Sequence, residues 1–252
     1  MSYLYDERVD GALATHDKSV VVAQLQALIP DLQLLYEQED LRPFECDGLA
    51  AYRATPMLVA LPDKVEQVEA LLKFANTQKI PVVARGAGTG LSGGALPLDK
   101  GILLVMARFN RILDVDPEAG IARVQPGVRN LAISQAAAPH GMYYAPDPSS
   151  QIACSIGGNV AENAGGVHCL KYGLTVNNIL KLEILTIDGE RITLGSDALD
   201  APGFDFLALF TGSEGMLGIV TEVTVRLLPT PQAIRTLVAD FDSTEAAADA
   251  VS

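Results

Sequence analysis

Residues 85–94 read Arg85-Gly86-Ala87-Gly88-Thr89-Gly90-Leu91-Ser92-Gly93-Gly94, and the fold turns on the residues immediately C-terminal to them. Gly88, Gly90 and Gly93 carry GxGxxG spacing behind an apolar run, Val82 to Ala84, as a dinucleotide fingerprint does. That fingerprint needs its last glycine to open a helix whose N-terminus receives the pyrophosphate. Here Pro97 stands four residues after Gly93, and Asp99-Lys100-Gly101 leads directly into the apolar run Ile102 to Met106. A helix has no room to form, so the spacing predicts a loop between two strands and excludes a Rossmann unit. Such a loop can still hold a pyrophosphate, because glycines let successive backbone N–H groups converge on one concavity. Arg85 is the one charge in the stretch and Leu91 lies inside it, unlike an ordinary hydrophilic connector.

Upstream, Val20 to Ile29 reads as a helix stopped by Pro30, and Gly48 to Pro56 as a connector into a strand, Met57 to Leu61. Asp63 and Glu66 are placed as a capping box for a helix to Gln78, with Val65, Val68, Leu72 and Ala75 on one face. Downstream, Ile112 to Asp116 and Ile121 to Gln125 read as strands joined by a turn, and Val128 to Ala138 as a helix. Leu180 to Ile187 and Glu190 to Leu194 flank Asp188-Gly189, a pair that favours a primed hairpin turn. Ile219 to Leu227 alternates, setting Ile219, Thr221, Val223, Val225 and Leu227 against Glu222, Thr224 and Arg226. Ile234 to Phe241 reads as a further strand, followed by a helix capped at Asp242 or Ser243.

The balance of 18 Lys+Arg against 31 Asp+Glu, a formal charge of -13, argues against nucleic acid or an anionic membrane surface as main partner. Cys46, Cys154 and Cys169 form no CxxC pair, which suggests neither a disulfide framework nor a zinc ribbon and fits a reducing cytoplasm. Asp6, Glu7 and Asp10 occupy the place where a signal peptide would be apolar, and no run is long enough to span a membrane.

Four blocks appear in order: the glycine loop, Pro146 to Ser150 (PDPSS), Cys154 to Gly166 (CSIGGNVAENAGG) and Gly212 to Pro229 (GSEGMLGIVTEVTVRLLP). With them the chain resembles the flavoproteins of the vanillyl-alcohol oxidase and para-cresol methylhydroxylase type. The stretches RVQPGVRNLAISQA and GGVHCLKYGLT bring the likeness to members that oxidise glycolate. The resemblance implies an α+β, two-subdomain FAD-binding PCMH-type domain over residues 53–230. An N-terminal helical segment, 1–52, would precede it, and 231–252 would begin a truncated substrate or cap domain.

FAD would be bound non-covalently, since the glycine loop holds neither histidine nor cysteine. By resemblance Gly86, Ala87, Gly88, Thr89, Gly90 and Leu91 wrap its pyrophosphate, with Arg85 supplementing the charge and Gly94 also on the cofactor. Ser155, Ile156, Gly157, Gly158, Ala161 and Asn163 line the rest, with Pro146 beside the isoalloxazine ring and Gly218, Ile219 and Val220 passing their backbone along the flavin or the adenine side. Gly157-Gly158 also reads as a plain helix start. The reaction implied is oxidation of a small 2-hydroxy acid, glycolate to glyoxylate or D-lactate, by hydride transfer to flavin. Companion flavin-domain and iron-sulfur subunits are implied as partners, peripheral to the inner membrane; the other reading is a flavin-holding scaffold subunit.

No catalytic residue can be named. The HxGDGN motif in which complete relatives keep metal-binding and acid-base histidines does not occur, and the three histidines, His16, His140 and His168, are isolated. No metal site is expected, and the chain is expected to be inactive alone. Pro139-His140-Gly141 reads as a helix stop, Cys154 and Cys169 as small buried residues, and Arg123, Arg129 and Lys171 as solvated charge.

Overall fold

The computed structural model describes residues 16–197 and 203–251. Helix α1 (Lys18–Leu28) begins where Asp17 Oδ1 accepts from Ser19 N at 2.8 Å and Val20 N at 3.3 Å. Strand β1 (Gln33–Leu35) and the short helix α2 (Gln38–Leu41) follow. The segment read as helical therefore also contributes a strand, because β1 pairs antiparallel with β2 (Leu58–Leu61). A three-residue strand leaves no periodicity to read. Residues 1–15 of that segment, with Asp6, Glu7 and Asp10, lie outside the described residues.

Helix α3 (Val65–Gln78) buries Val68, Leu71, Leu72 and Ala75. Its start corrects the capping box drawn between Asp63 and Glu66. Gln67 Oε1 accepts from Asp63 N at 2.8 Å and Lys64 N at 3.3 Å, while Asp63 pairs with Arg108 and Glu66 with Arg191. The amide reaches back to the chain from a position one residue later, and Glu66 is free to face outward. Beyond α3, β3 (Val82–Arg85) and β4 (Ile102–Val105) complete a four-stranded sheet in the order β1-β2-β4-β3, with β2, β4 and β3 parallel. The connection from β3 to β4, residues 86–101, contains no helix, as Pro97 requires.

The second sheet is antiparallel, with β5 (Ile112–Asp116), β6 (Ile121–Val124), β8 (Ile179–Leu185), β9 (Arg191–Gly195) and β10 (Ile219–Arg226) in the order β5-β6-β10-β8-β9. Between β6 and β8 come α4 (Asn130–Ala137), β7 (Met142–Tyr143), α5 (Ile156–Glu162) and α6 (Cys169–Tyr172). Helix α7 (Phe206–Phe210) precedes β10, and β11 (Leu228–Pro229) pairs with β7.

Two cores meet at the β8–β10 pair. Leu58, Ala60, Ile102 and Leu104 pack with α1 and α3 in one, while Val124, Val160, Leu182, Val223 and Val225 pack in the other. Ile219 and Leu185, partners in register, belong to the first core, whereas the adjacent Val220 and Ile184 belong to the second. Successive strand residues face opposite ways, so the start of β10 is a wedge between subdomains. Thr224, on the face opposite Val223 and flanked by Arg123 of β6 and Lys181 of β8, is 1% exposed. The alternation Ile219 to Leu227 belongs to a central strand with core on both sides and two register shifts against β8.

The β8–β9 turn also departs from expectation. Gly189 N donates to Thr186 O at 2.9 Å and Thr186 N to Glu190 O at 3.0 Å, and only Gly189 has positive φ, 74°. A type I′ turn needs both central residues there and a type II′ turn the first; Asp188 instead stays in the ordinary region and accepts from Asn76 Nδ2 of α3 at 2.7 Å. Residues 234–241 form no strand. Ile234, Leu237 and Val238 are more than four-fifths exposed, at 83%, 91% and 91%, and apolar β propensity has no ladder to join. Ser243 does cap helix α8 (Thr244–Val251), accepting from Ala246 N at 3.1 Å.

Tyr144 is 3% exposed, and burial pushes its phenol well above the usual range, with only Thr175 opposing the shift. A raised folded pKa stabilises fully below the unfolded value of about 10 and loses that contribution as pH rises further. Tyr144→Phe is therefore expected to change stability at pH 7 by no more than about 1 kcal/mol and to move the alkaline unfolding midpoint upward. Circular dichroism between pH 8 and 12 checks this; an unmoved midpoint would show that another group governs alkaline unfolding.

Candidate functional site

The glycine loop leaves the C-terminal end of β3 at the seam between the two cores and forms one wall of a cavity of about 320 Å³. The start of α5, residues Ser213–Gly215 and the first residues of β10 form the remaining walls. Of the residues expected here, Arg85 through Leu91, Gly94, Ser155, Gly157, Gly158, Ala161, Gly218, Ile219 and Val220 line it.

Three do not. Ile156 is fully buried in the second core. Asn163 closes α5 in a left-handed conformation, φ 51°, and spends its side-chain oxygen on Val176 N at 3.0 Å. The Pro146 carbonyl accepts from the buried Asn130 Nδ2 at 2.8 Å. Ile156 and Val160, one turn apart on α5, point into the second core while Gly157, Gly158, Ala161 and Glu162 line the cavity.

The backbone donors divide sharply. Among the described residues, the N–H groups of Ala87, Gly88, Thr89, Gly90 and Leu91 donate no hydrogen bond. At the start of α5 the amides are already engaged: Ile156 N to Val128 O at 2.9 Å, Gly157 N to Pro126 O at 2.8 Å and Gly158 N to Ser155 Oγ at 3.4 Å. Both readings of Gly157-Gly158 thus apply, since the pair starts a helix capped by Ser155 and also lines the cavity. Five successive free donors on a glycine loop form a nest for an anion.

Two glycines carry the geometry. Gly88 has φ 69°, and a methyl there would lie 2.4 Å from Arg85 Nη2. A methyl on Gly86 would lie 2.1 Å from Ser155 Oγ. Arg85 itself lines the cavity but turns back to the N-terminal segment. Its Nη1 donates to Cys46 O at 2.7 Å, its guanidinium stacks over Phe44 at 5.9 Å, and burial lowers its pKa. It braces the loop before it adds charge to it.

The family model for an FAD binding domain matches residues 56–195. The chain belongs to that FAD-binding family. Its fold is the PCMH-type α+β domain of that family, and FAD is its cofactor. It is 67% identical over 251 residues to glycolate oxidase subunit GlcD of Escherichia coli (strain K12), covering 100% of this chain and 50% of the relative. It is 40% identical over 209 residues to D-lactate dehydrogenase of Archaeoglobus fulgidus (strain ATCC 49558 / DSM 4304 / JCM 9628 / NBRC 100126 / VC-16), 82% of this chain and 47% of that one. The fold matches a solved alkyldihydroxyacetonephosphate synthase with a TM-score of 0.74 at 25% identity, over 87% of this chain and 42% of that one. The chain thus spans about half the length of the curated relatives it matches.

The cavity fits the cofactor of this FAD-binding domain: free amides suit a diphosphate, and Met106, Phe210, Ile219 and Val220 offer an apolar wall for a flat ring. Glu162, Ser213 and Glu214 also line it and were missed, although Glu162 and Glu214 lie inside two of the sequence blocks. Helical and turn geometry, not spacing, turns them inward.

The histidines stand apart from the cavity lining. His168 Nδ1 lies 2.5 Å from Asp147 Oδ2, and its backbone N–H donates to Asp147 Oδ1 at 3.3 Å, tying α6 to the PDPSS turn. Next to it, burial pushes the Tyr143 phenol up to about 12, and a hydrogen bond with Tyr143 lowers that of Tyr172. His140 ends a 3₁₀ turn before Gly141, as read. Cys154 is buried in the cavity wall, whereas Cys169 is half-buried and its Sγ accepts from Gly166 N at 2.8 Å. Arg123 faces Glu222 at 3.4 Å and Lys171 lies over the Tyr172 ring at 5.1 Å. No group of three or more His, Cys, Asp or Glu able to hold a metal occurs among the described residues, and none of their helices is long and apolar enough to cross a membrane.

Proposed function

We propose that this chain is the FAD-holding portion of a 2-hydroxy-acid dehydrogenase of the glycolate-oxidising type. Five successive amides that donate no hydrogen bond, Ala87 to Leu91, on residues that line one cavity are the observation that carries this reading. The likeness to glycolate oxidase and D-lactate dehydrogenase supports the substrate class. The amides hold the diphosphate, and the turn of Arg85 toward Phe44 and Cys46 keeps the loop open. Ser155 fixes the start of α5 against Gly86, and the backbone of Gly218 to Val220 flanks the apolar wall. Bound there, FAD would supply acceptance of the hydride that leaves the α-carbon of the hydroxy acid. Binding is non-covalent. Companion flavin-domain and iron-sulfur subunits would receive the electrons, in the cytoplasm or against the inner membrane.

Titration of the chain with FAD, followed by flavin fluorescence, tests the assignment, and release of all flavin on denaturation tests the absence of a covalent link. Two substitutions separate the loop's roles. Gly90 lies outside the left-handed region, and a methyl there would meet nothing closer than Glu162 Oε1 at 3.6 Å. Gly90→Val is expected to leave the domain folded and weaken FAD at least about 100-fold by filling the nest. Gly88→Val should lose FAD and also about 1–3 kcal/mol of stability, because it forces a branched residue into the left-handed region against Arg85. Parental affinity in Gly90→Val would show that the loop amides do not hold the diphosphate.

A further inference from the structure

Formal charge is sparse in the cavity wall. It is confined to Arg85, already engaged with Phe44 and Cys46, and to Glu162 and Glu214. The two carboxylates converge beyond the Gly90 end of the loop. A methyl on Gly94 would lie 2.9 Å from Glu214 Oε2 and 3.0 Å from Glu162 Oε1. Glu162 accepts from Ser92 Oγ at 3.0 Å with both oxygens. Glu214 is held by its backbone, with φ 53° and its N–H on Ala161 O at 2.9 Å, while its carboxylate has no partner among the described residues. Beside it the buried Ser213 Oγ has no hydrogen-bond partner either.

The lining therefore combines the free amide donors of the glycine loop with two carboxylate acceptors. An ionised carboxylate accepts and cannot donate, so it repels a phosphate and suits a hydroxyl. Both residues are exposed, and both also line the cavity that the glycine loop lines. FAD carries matching chemistry, a diphosphate flanked by hydroxyl-bearing chains, the ribose on one side and the ribityl on the other. Dinucleotide-binding folds use a carboxylate on ribose hydroxyls in the same way. We propose that Glu162 and Glu214 bind the sugar hydroxyls adjoining the cofactor's diphosphate and thereby fix the position of the diphosphate along the loop. This rests on assigning the cavity to FAD.

The test measures dissociation constants of FAD, ADP, 2′-deoxy-ADP and FMN for the whole chain and for Glu162→Ala, Glu162→Gln, Glu214→Ala and Glu214→Gln, with circular dichroism as a check on folding. Each alanine variant is expected to weaken FAD about tenfold, and each glutamine variant less, since the amide oxygen still accepts. Should the ribose supply the hydroxyls, the parent prefers ADP to 2′-deoxy-ADP and the variants lose that preference. Should the ribityl chain supply them, the variants weaken FMN and leave the two ADP ligands alike. Unchanged or tighter FAD binding in the folded variants overturns the proposal, tighter binding meaning that the carboxylates merely repel. A loss of FAD affinity that neither arm traces to a hydroxyl overturns it as well. A folded parent that binds none of the four ligands instead overturns the assignment of the cavity itself.

Discussion

Gly86→Ala is expected to strip the domain of FAD and to destabilise it by about 1–3 kcal/mol, the cost of overpacking a site that cannot relax. The added methyl would sit 2.1 Å from Ser155 Oγ, far inside contact distance. Ser155 cannot simply step aside. It is 4% exposed, and its hydroxyl caps α5 by accepting from Gly158 N at 3.4 Å. Relief must therefore come from the loop, which moves the amides of Ala87 to Leu91, or from the cap, which is worth about 1 kcal/mol. Ser155→Ala supplies a control, because the Ser155 Cβ would remain 3.4 Å from the new methyl, an ordinary contact. The double variant should recover much of the FAD lost by Gly86→Ala, giving a coupling that two independent lesions would not show. Flavin absorbance after denaturation and thermal unfolding report the two effects. Parental flavin content and melting temperature in Gly86→Ala would show that the contact between loop and helix does not shape the site.

Mixed with FAD, glycolate or D-lactate and a dye acceptor, the chain by itself is expected to reduce no more dye than free FAD does. Hydride transfer needs the donor carbon held within about 3.5 Å of the acceptor and a positioned group to take the hydroxyl proton. No histidine lines the cavity, and His168, the one nearest in sequence to α5, is occupied with Asp147 at 2.5 Å. The charged groups that do line it are accounted for by the loop brace and by the sugar hydroxyls. Dye reduction well above the free-flavin control, abolished by His168→Ala, would make the Asp147–His168 pair a proton acceptor and refute the expectation. Dye reduction abolished by Glu214→Gln would assign that role to a cavity carboxylate instead.

Much of this molecule is legible without coordinates. Pro97 and the apolar run behind it exclude a Rossmann helix because a proline four residues past Gly93 leaves no turn of helix to build, and the loop between β3 and β4 contains none. The glycine positions foretell free amides, since a stretch that cannot join a helix or a ladder leaves its donors unspent. Hydrophobic period placed α1, α3 and most strands to within a few residues. Where the reading failed, the deciding partner was distant in sequence: β1 exists through β2, and residues 234–241 pair with no strand among the described residues.

The site divides along the same line. Local sequence determined that the glycine loop is a nest of free donors, because backbone conformation and unsatisfied amides are properties of neighbours along the chain. Tertiary structure decided which groups face that nest. It spent the amides of Ile156 to Gly158 on Val128, Pro126 and Ser155, turned Arg85 toward Phe44 and Cys46, and brought Glu162 and Glu214 to one glycine. A hydrogen bond to a residue dozens of positions away, or a carboxylate's direction across a cavity, depends on how two subdomains close on each other, and no spacing in the sequence encodes that closure.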